Sequence, residues 1–175
     1  MLFYSLLFLV MINPSLVIVD FNVESDLADW YIVDDGVMGG LSSGNMSIDK
    51  EGHARFYGEV SLDNNGGFTS VRYQFNTKKI EPYNNCRIRI KGDTKNYQFR
   101  VKSDASQRFS YIYEFETNGG WEEIVIPLSE MYPSFRGRKL DMPNFPNQQL
   151  EEIVFLIANK KEESFELMID SITLE

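Results

Sequence analysis

From residue 16 onward, apolar and polar residues alternate with a period of two over short runs. That is the spacing at which one face of a strand packs while the other stays polar. The runs predict strands at 17–21, 45–49, 53–62, 68–76, 86–91, 97–103, 109–117, 121–128, 152–158 and 165–174. Turns rich in Gly, Asn, Asp and Pro separate them. No apolar stripe at helical spacing persists for three turns, so the class is all-β, a single β-sandwich or jelly roll over residues 16–175. Asn118-Gly119-Gly120 has the composition of a hairpin turn. The longest connection, 129–149, carries Pro133, Pro143 and Pro146 and admits only a short turn of helix near 129–131. A stretch of this length inside a compact domain is often functional.

The alternation also sorts charge. Cys86, Ile88 and Ile90 alternate with Arg87, Arg89 and Lys91, and Tyr97, Phe99 and Val101 alternate with Gln98, Arg100 and Lys102. Phe109, Tyr111, Tyr113 and Phe115 alternate with Ser110, Ile112, Glu114 and Glu116. Two readings follow. The charged faces are solvated, with Arg and Glu paired across strands at a fraction of a kcal/mol to about 1 kcal/mol each. Alternatively they line the concave sheet of a jelly roll, where Arg87, Gln98, Arg100 and Glu114 meet sugar hydroxyls or a partner's carboxylates.

Composition removes several classes of function. A net charge of -9 and a pI near 4.7 argue against a nucleic-acid surface. The one cysteine, Cys86, forms no internal disulfide and sits on an apolar strand face. His53 is the only histidine, so neither a nucleophile–histidine triad nor a His/Cys zinc site is supplied. Asp34-Asp35, Glu122-Glu123 and Glu151-Glu152 are neighbours that point to opposite faces of a strand, so none forms a hydrolytic dyad by itself. The expectation is a protein without catalytic machinery. Residues 1–15 form an apolar leader ending at Asn13-Pro14-Ser15, without a Lys or Arg in front and without a small-x-small cleavage site. It is expected to serve export or membrane attachment rather than a cytoplasmic location, and the lack of Arg in the first fifty residues speaks against a mitochondrial presequence. Asn45-Met46-Ser47 is a glycosylation sequon that matters only in a glycosylating host.

Two glycine-bearing knots stand apart from this regularity, Asp34-Asp35-Gly36-Val37-Met38-Gly39-Gly40 and Asn64-Asn65-Gly66-Gly67-Phe68. Asp and Asn bond their own backbone in turns, and paired glycines allow positive φ or close approach of another group. At least two of Gly39, Gly40, Gly66 and Gly67 are expected at positive φ. With Trp30, Ser42, Phe56, Gly58, Val60-Ser61-Leu62 and Ser70-Val71-Arg72, the knots form a long ordered pattern that resembles the complex I intermediate-associated protein family. Lys91-Gly92-Asp93, Tyr97, Trp121, Pro127-Leu128, Phe135-Arg136-Gly137-Arg138 and Ile169-Asp170-Ser171-Ile172 extend the resemblance over residues 17–175.

The resemblance implies a galactose-binding-like β-sandwich and a non-enzymatic role. Such a module helps to assemble a multi-subunit membrane complex, typified by the NADH:ubiquinone oxidoreductase, by binding unassembled protein subunits. In that setting the knots form one rim, with Trp30, Met38 and Phe68 as apolar anchors and Arg72, Arg136 and Arg138 as polar ones. The three arginines are expected to gather near the knots, Arg72 pairing with Asp34 or Asp35 as a lock. Sandwiches of this kind often hold a structural Ca²⁺ between first and last strands, where Asp20 and Asp170 are the candidate ligands. The leader departs from the Arg-rich presequences of mitochondrial members and points to a different client. Carbohydrate binding on the concave face is the alternative from another class.

Overall fold

The structure, a computed structural model, describes residues 15–175, the side chains of Val37 and Met38 excepted. The leader therefore lies, but for Ser15, outside the described residues. Among those residues the chain forms two antiparallel sheets. One has the order β3(Ser43–Ile48), β4(Ala54–Val60), β13(Glu163–Leu174), β6(Asn85–Lys91), β9(Trp121–Pro127), with β1(Leu16–Asp20) also paired to β13. The other runs β11(Arg138–Lys139), β10(Tyr132–Phe135), β8(Ser110–Glu116), β7(Asn96–Lys102), β12(Gln149–Ile157), β5(Thr69–Lys79), β2(Trp30–Asp34).

Period-two alternation places the core between the sheets. Phe56, Ile88, Ile90, Ile126, Leu167 and Ile169 come from the six-stranded sheet and meet Val71, Phe99, Val101, Ile153 and Phe155 from the seven-stranded one. Phe99 and Phe155 pack at 5.2 Å and Phe56 and Phe165 at 4.8 Å between centroids, separations at which aromatic pairs attract beyond their burial. A register shift in β1 lets Ile18 and Val19, adjacent in sequence, both bury. The fold is the expected all-β sandwich.

Differences from the expected elements have local causes. β2 is short and runs into Asp34-Asp35-Gly36, whose turn chemistry hides it. β10 and β11 lie inside the long connection, and Pro133 is accommodated in a four-residue strand near the sheet edge. The expected helical turn is a 3-10 turn at Leu128–Glu130. Asn118-Gly119-Gly120 is not a hairpin turn. It carries the chain from β8 in one sheet to β9 in the other, as does the turn between β6 and β7. Cross-sheet turns and hairpin turns draw on the same residues, so composition does not separate them.

Candidate functional site

The two glycine knots meet at one edge of the sandwich. β2 ends at Asp34, and Asp35 opens a 3-10 turn, Asp35–Met38. Asp35 is fully buried, and its carboxylate accepts from Ser42 N (3.0 Å), Ser42 Oγ (2.5 Å), Gly67 N (2.6 Å) and Phe68 N (3.2 Å). Burial would raise its pKa, but hydrogen bonds from the Ser42 hydroxyl and from the Gly67, Phe68 and Ser42 amides outweigh it and hold the group below the usual carboxylate range. Asp34 accepts from the Thr69 hydroxyl and from Gly44 N (3.2 Å), and Asn64 Nδ2 donates to Gly39 O (3.0 Å). The knots thus form a clasp joining β2 and β5 of one sheet to the start of β3 of the other. Gly39 and Gly67 take φ of 90° and 133°. Gly40 and Gly66 are needed for space, because a Cβ at either would run into the Asp35 carboxylate.

A second cluster lies on the outer face of the seven-stranded sheet. Strand register sets Tyr31 beside Arg72, Arg72 beside Val154, Val154 beside Arg100, Arg100 beside Ile112 and Ile112 beside Tyr132. One row of side chains therefore crosses six strands. Val154 and Ile112 are 1% and 2% exposed although they stand outside the core between the sheets, so the middle of the row is recessed under its polar neighbours, while Tyr31 at its end is exposed. In the adjoining row, fully buried Glu152 accepts at Oε2 from Gln74 Nε2 (2.7 Å) and Tyr31 OH (3.1 Å). Its Oε1 lies 3.3 Å from Lys102 Nζ and 3.6 Å from Arg72 NH1 yet receives no well-formed hydrogen bond.

Arg100 donates through Nε and NH2 to the single Gln98 Oε1, at 2.9 and 2.5 Å, while Gln98 donates to Glu114 at 2.8 Å. Among the described residues no carboxylate lies within 4 Å of the Arg100 guanidinium. Burial, and then the like charge of Arg72, pull its pKa down to about 10. Burial and Glu152 raise Tyr31, and burial and Glu114 raise Tyr132. A cavity of about 290 Å³, lined by Asn96, Gln98, Glu114, Glu116 and Asn159 among others, continues the face at one end.

The sequence-derived candidates divide among several places. Asp34, Asp35, Gly36, Gly39, Gly40, Asn64, Asn65, Gly66 and Gly67 share the clasp, with Phe68 half-buried beside it. Met38 contributes backbone to the 3-10 turn, and its side chain lies outside the described atoms. Trp30 stacks on Tyr73 at 4.8 Å and packs against the core. Arg72 does not pair with Asp34 or Asp35, since it points to the outer face and to Glu152. Arg136 and Arg138 are exposed around the β10–β11 turn, at the opposite edge of the sheet from the clasp, so the three arginines do not gather. Gln98, Arg100 and Glu114 share the outer face. Arg87 belongs to the other sheet and pairs with Glu175 (2.7 Å) and Glu123 (2.9 Å).

Asp20 is exposed. Asp170 has Arg89 NH1 at 3.0 Å and His53 Nε2 at 3.4 Å, and a guanidinium at that distance is a poor neighbour for a calcium ion. Lys102, placed by the alternation on the same charged face, completes the outer face together with Tyr31, Gln74, Tyr132 and Glu152, which the sequence reading did not assign to it. One signal pointed there: the unbroken apolar run Ile153-Val154-Phe155-Leu156-Ile157 marks a strand covered on both sides.

The two-sheet architecture is that of the galactose-binding-like β-sandwiches, the class of many carbohydrate-binding modules. A family 11 carbohydrate-binding module from Clostridium thermocellum, in complex with a β-1,3-1,4-mixed-linked tetrasaccharide, matches with a TM-score of 0.67 at 18% identity, over 91% of this chain and 94% of that one. A family 29 module variant complexed with mannohexaose matches with a TM-score of 0.56 at 12% identity, over 92% and 90% of the two chains. Likeness at these identities is one of fold. Sequence narrows it: the profile of the complex I intermediate-associated protein 30 family matches residues 19–169, and the chain belongs to that family. It is 25% identical over 186 residues to the mitochondrial complex I intermediate-associated protein 30 of Mus musculus, covering 93% of this chain and 57% of that protein. It is also 27% identical over 167 residues to an uncharacterized protein of Schizosaccharomyces pombe, covering 82% and 76%. The chain thus spans little more than half the length of the mouse relative.

Proposed function

We propose that this chain is a non-enzymatic binding module that holds unassembled protein subunits of a membrane complex, with the outer face of the seven-stranded sheet as its docking surface. Family membership supports the biological role. The observation that carries the choice of surface is the row from Tyr31 through Arg72 and Arg100 to Tyr132, whose polar groups are held in a recess without being fully used by one another. The clasp, by contrast, is satisfied internally and has little to offer a partner. Tyrosine and arginine in a recess are the residue types that dominate interface energetics. Affinity capture from solubilised membranes with mass-spectrometric identification tests the reading, and the Arg72→Gln protein is its control. Capture of the same subunits by both proteins would remove the outer face from the account.

Carbohydrate binding on the same face is the second reading. Tyr31 and Tyr132 support it, because sugar rings stack on aromatic faces and the sequence pattern had placed most aromatics in the core. A glycan-array screen with the same control distinguishes it.

A further inference from the structure

We propose that Arg72 and Arg100 form a carboxylate receptor that grips an Asp, Glu or terminal carboxylate in an extended acidic segment of the partner protein. The proposal rests on the protein-partner reading above and names the chemistry of that partner. A guanidinium has five N–H donors in a fixed fork that fits a carboxylate. Arg100 uses only Nε and NH2, both on one amide oxygen of Gln98. Arg72 has a long contact to Ser70 Oγ at 3.4 Å and the 3.6 Å approach to Glu152. Among the described residues Arg100 NH1 has no acceptor, and the contacts of Arg72 to Ser70 and Glu152 are long, so both groups keep donors for a ligand.

Glu152 does not neutralise the pair. It lies fully buried beneath the face, is shared with Lys102, and leaves Oε1 without a hydrogen bond. Three cations, Arg72, Arg100 and Lys102, therefore stand in or beside the row with Glu152 and the exposed Glu114, while the exposed Glu116 lies two residues further along β8, in a protein whose net charge is -9. A positive recess on an acidic protein is where an acidic segment is accepted while the rest of the surface repels it. The low pKa of Arg100 has the same origin, burial beside a like charge.

A neutral sugar would cover Arg100 and remove its remaining water without supplying a counter-charge, which is costly for a desolvated ion. A carboxylate supplies both charge and paired acceptors. The recess also sets the length of the occupant. Tyr31 and Tyr132 are five strand spacings apart, about 24 Å at about 4.8 Å per spacing. An extended chain of about seven residues covers that span. The apolar floor of Val154, Leu156 and Ile112 suits its non-acidic side chains.

The test uses ¹⁵N-labelled protein and four probes: a blocked seven-residue peptide with three central glutamates, its glutamine counterpart, trigalacturonate, and the neutral mixed-linked β-glucan tetrasaccharide. The glutamate peptide is expected to bind at least tenfold tighter than the glutamine peptide and to shift the Nε–H signals of Arg72 and Arg100. Arg100→Gln is expected to weaken it at least tenfold, while Arg87→Gln, on the other sheet, leaves it unchanged. If Arg100→Gln fails to fold, the peptide comparison and the arginine signals of the unaltered protein decide alone. Equal binding of the two peptides, or no probe binding, overturns the receptor. Tighter binding of trigalacturonate overturns the protein occupant. Tetrasaccharide binding that ignores Arg100→Gln overturns the carboxylate. Peptide discrimination without capture of membrane subunits sinks the assembly role and leaves the receptor standing. Subunit capture that survives Arg100→Gln does the reverse.

Discussion

Removing the Asp35 carboxylate should unlatch the edge of the sandwich. It accepts four hydrogen bonds, three of them from the backbone amides of Ser42, Gly67 and Phe68. Each buried donor left without an acceptor costs about 1–3 kcal/mol. Water entering the space freed by Asp35→Ala recovers part of this, so a loss of about 3–5 kcal/mol is expected, a large share of a typical stability of about 5–15 kcal/mol. Asp35→Asn keeps the shape and one acceptor but turns an NH₂ toward a donor, and should cost about 2 kcal/mol. Urea unfolding at pH 7, followed by tryptophan fluorescence, reads both values, provided the slope with urea is unchanged.

The pH dependence carries the sign. Asp35 has a folded pKa below its unfolded value, so its contribution is fully present above about pH 4 and fades as pH falls through the folded pKa. The gap between the natural protein and Asp35→Asn should therefore narrow below pH 4. A Cβ at Gly66 would lie 2.6 Å from Asp35 Oδ2 and 2.9 Å from Ser61 O. Gly66→Ala should accordingly cost less in an Asp35→Ala background than alone, by at least about 1 kcal/mol, as expected for residues in direct contact. A loss under about 1 kcal/mol for Asp35→Ala, a gap that stays flat from pH 7 to 3, or strict additivity with Gly66→Ala would each refute the clasp.

Glu152→Ala removes the acceptor of Tyr31 and Gln74 and the counter-charge of Arg72 and Lys102. Because the two cations keep some exposure, about 2–4 kcal/mol is expected in urea unfolding, and a loss under about 1 kcal/mol would contradict the recess. Burial, and then Glu175, push the Cys86 thiol well above its ordinary range, so Ellman's reagent should label it at least about a hundredfold slower in native protein than in urea. Rapid native labelling would show that this part of the core opens. Arg138→Ala, exposed at the turn, should change stability by no more than about 0.5 kcal/mol, and Arg136→Ala, which gives up a guanidinium 5.4 Å from the Phe135 ring centre, by no more than about 1 kcal/mol; a larger loss in thermal melts would reveal contacts absent from the structure.

The fold was legible because a two-sheet sandwich writes its core directly into the sequence. Ile88 and Ile90, Phe99 and Val101, and Tyr111 and Phe115 all alternate, and all bury. What the alternation does not carry is which sheet a strand joins. Arg87 and Arg100 have the same local pattern, two residues apart from their like-faced neighbours, yet stand on opposite sides of the molecule. The turn between β6 and β7 decides this, where Thr94 takes a φ of 65° and Gly92 leaves room for the Thr117 side chain, features that composition does not announce. Glycine-rich knots were conspicuous for a related reason: bringing two backbones onto one carboxylate demands rare residues at fixed places, whether or not anything binds there. Asp35 needs Gly40 and Gly66 for space, and the pattern they leave is that of a structural constraint.

A recognition surface built across strands leaves a fainter mark. Tyr31, Arg72, Val154, Arg100, Ile112 and Tyr132 belong to six strands, one residue from each, and they become neighbours only through register. A shift of one residue in any of those pairings would send that strand's contribution into the core and its core residues outward. The clasp and the face are therefore linked by mechanics rather than by contact. Hydrogen bonds from Thr69 to Asp34, and from Gly67 and Phe68 to Asp35, fix where β5 begins against β2. That starting point sets Tyr31 opposite Arg72, and β12 then carries the register from Arg72 to Arg100. On this account, loosening the clasp should weaken ligand binding on a surface it never touches, because the tyrosine and the two arginines would no longer hold one spacing.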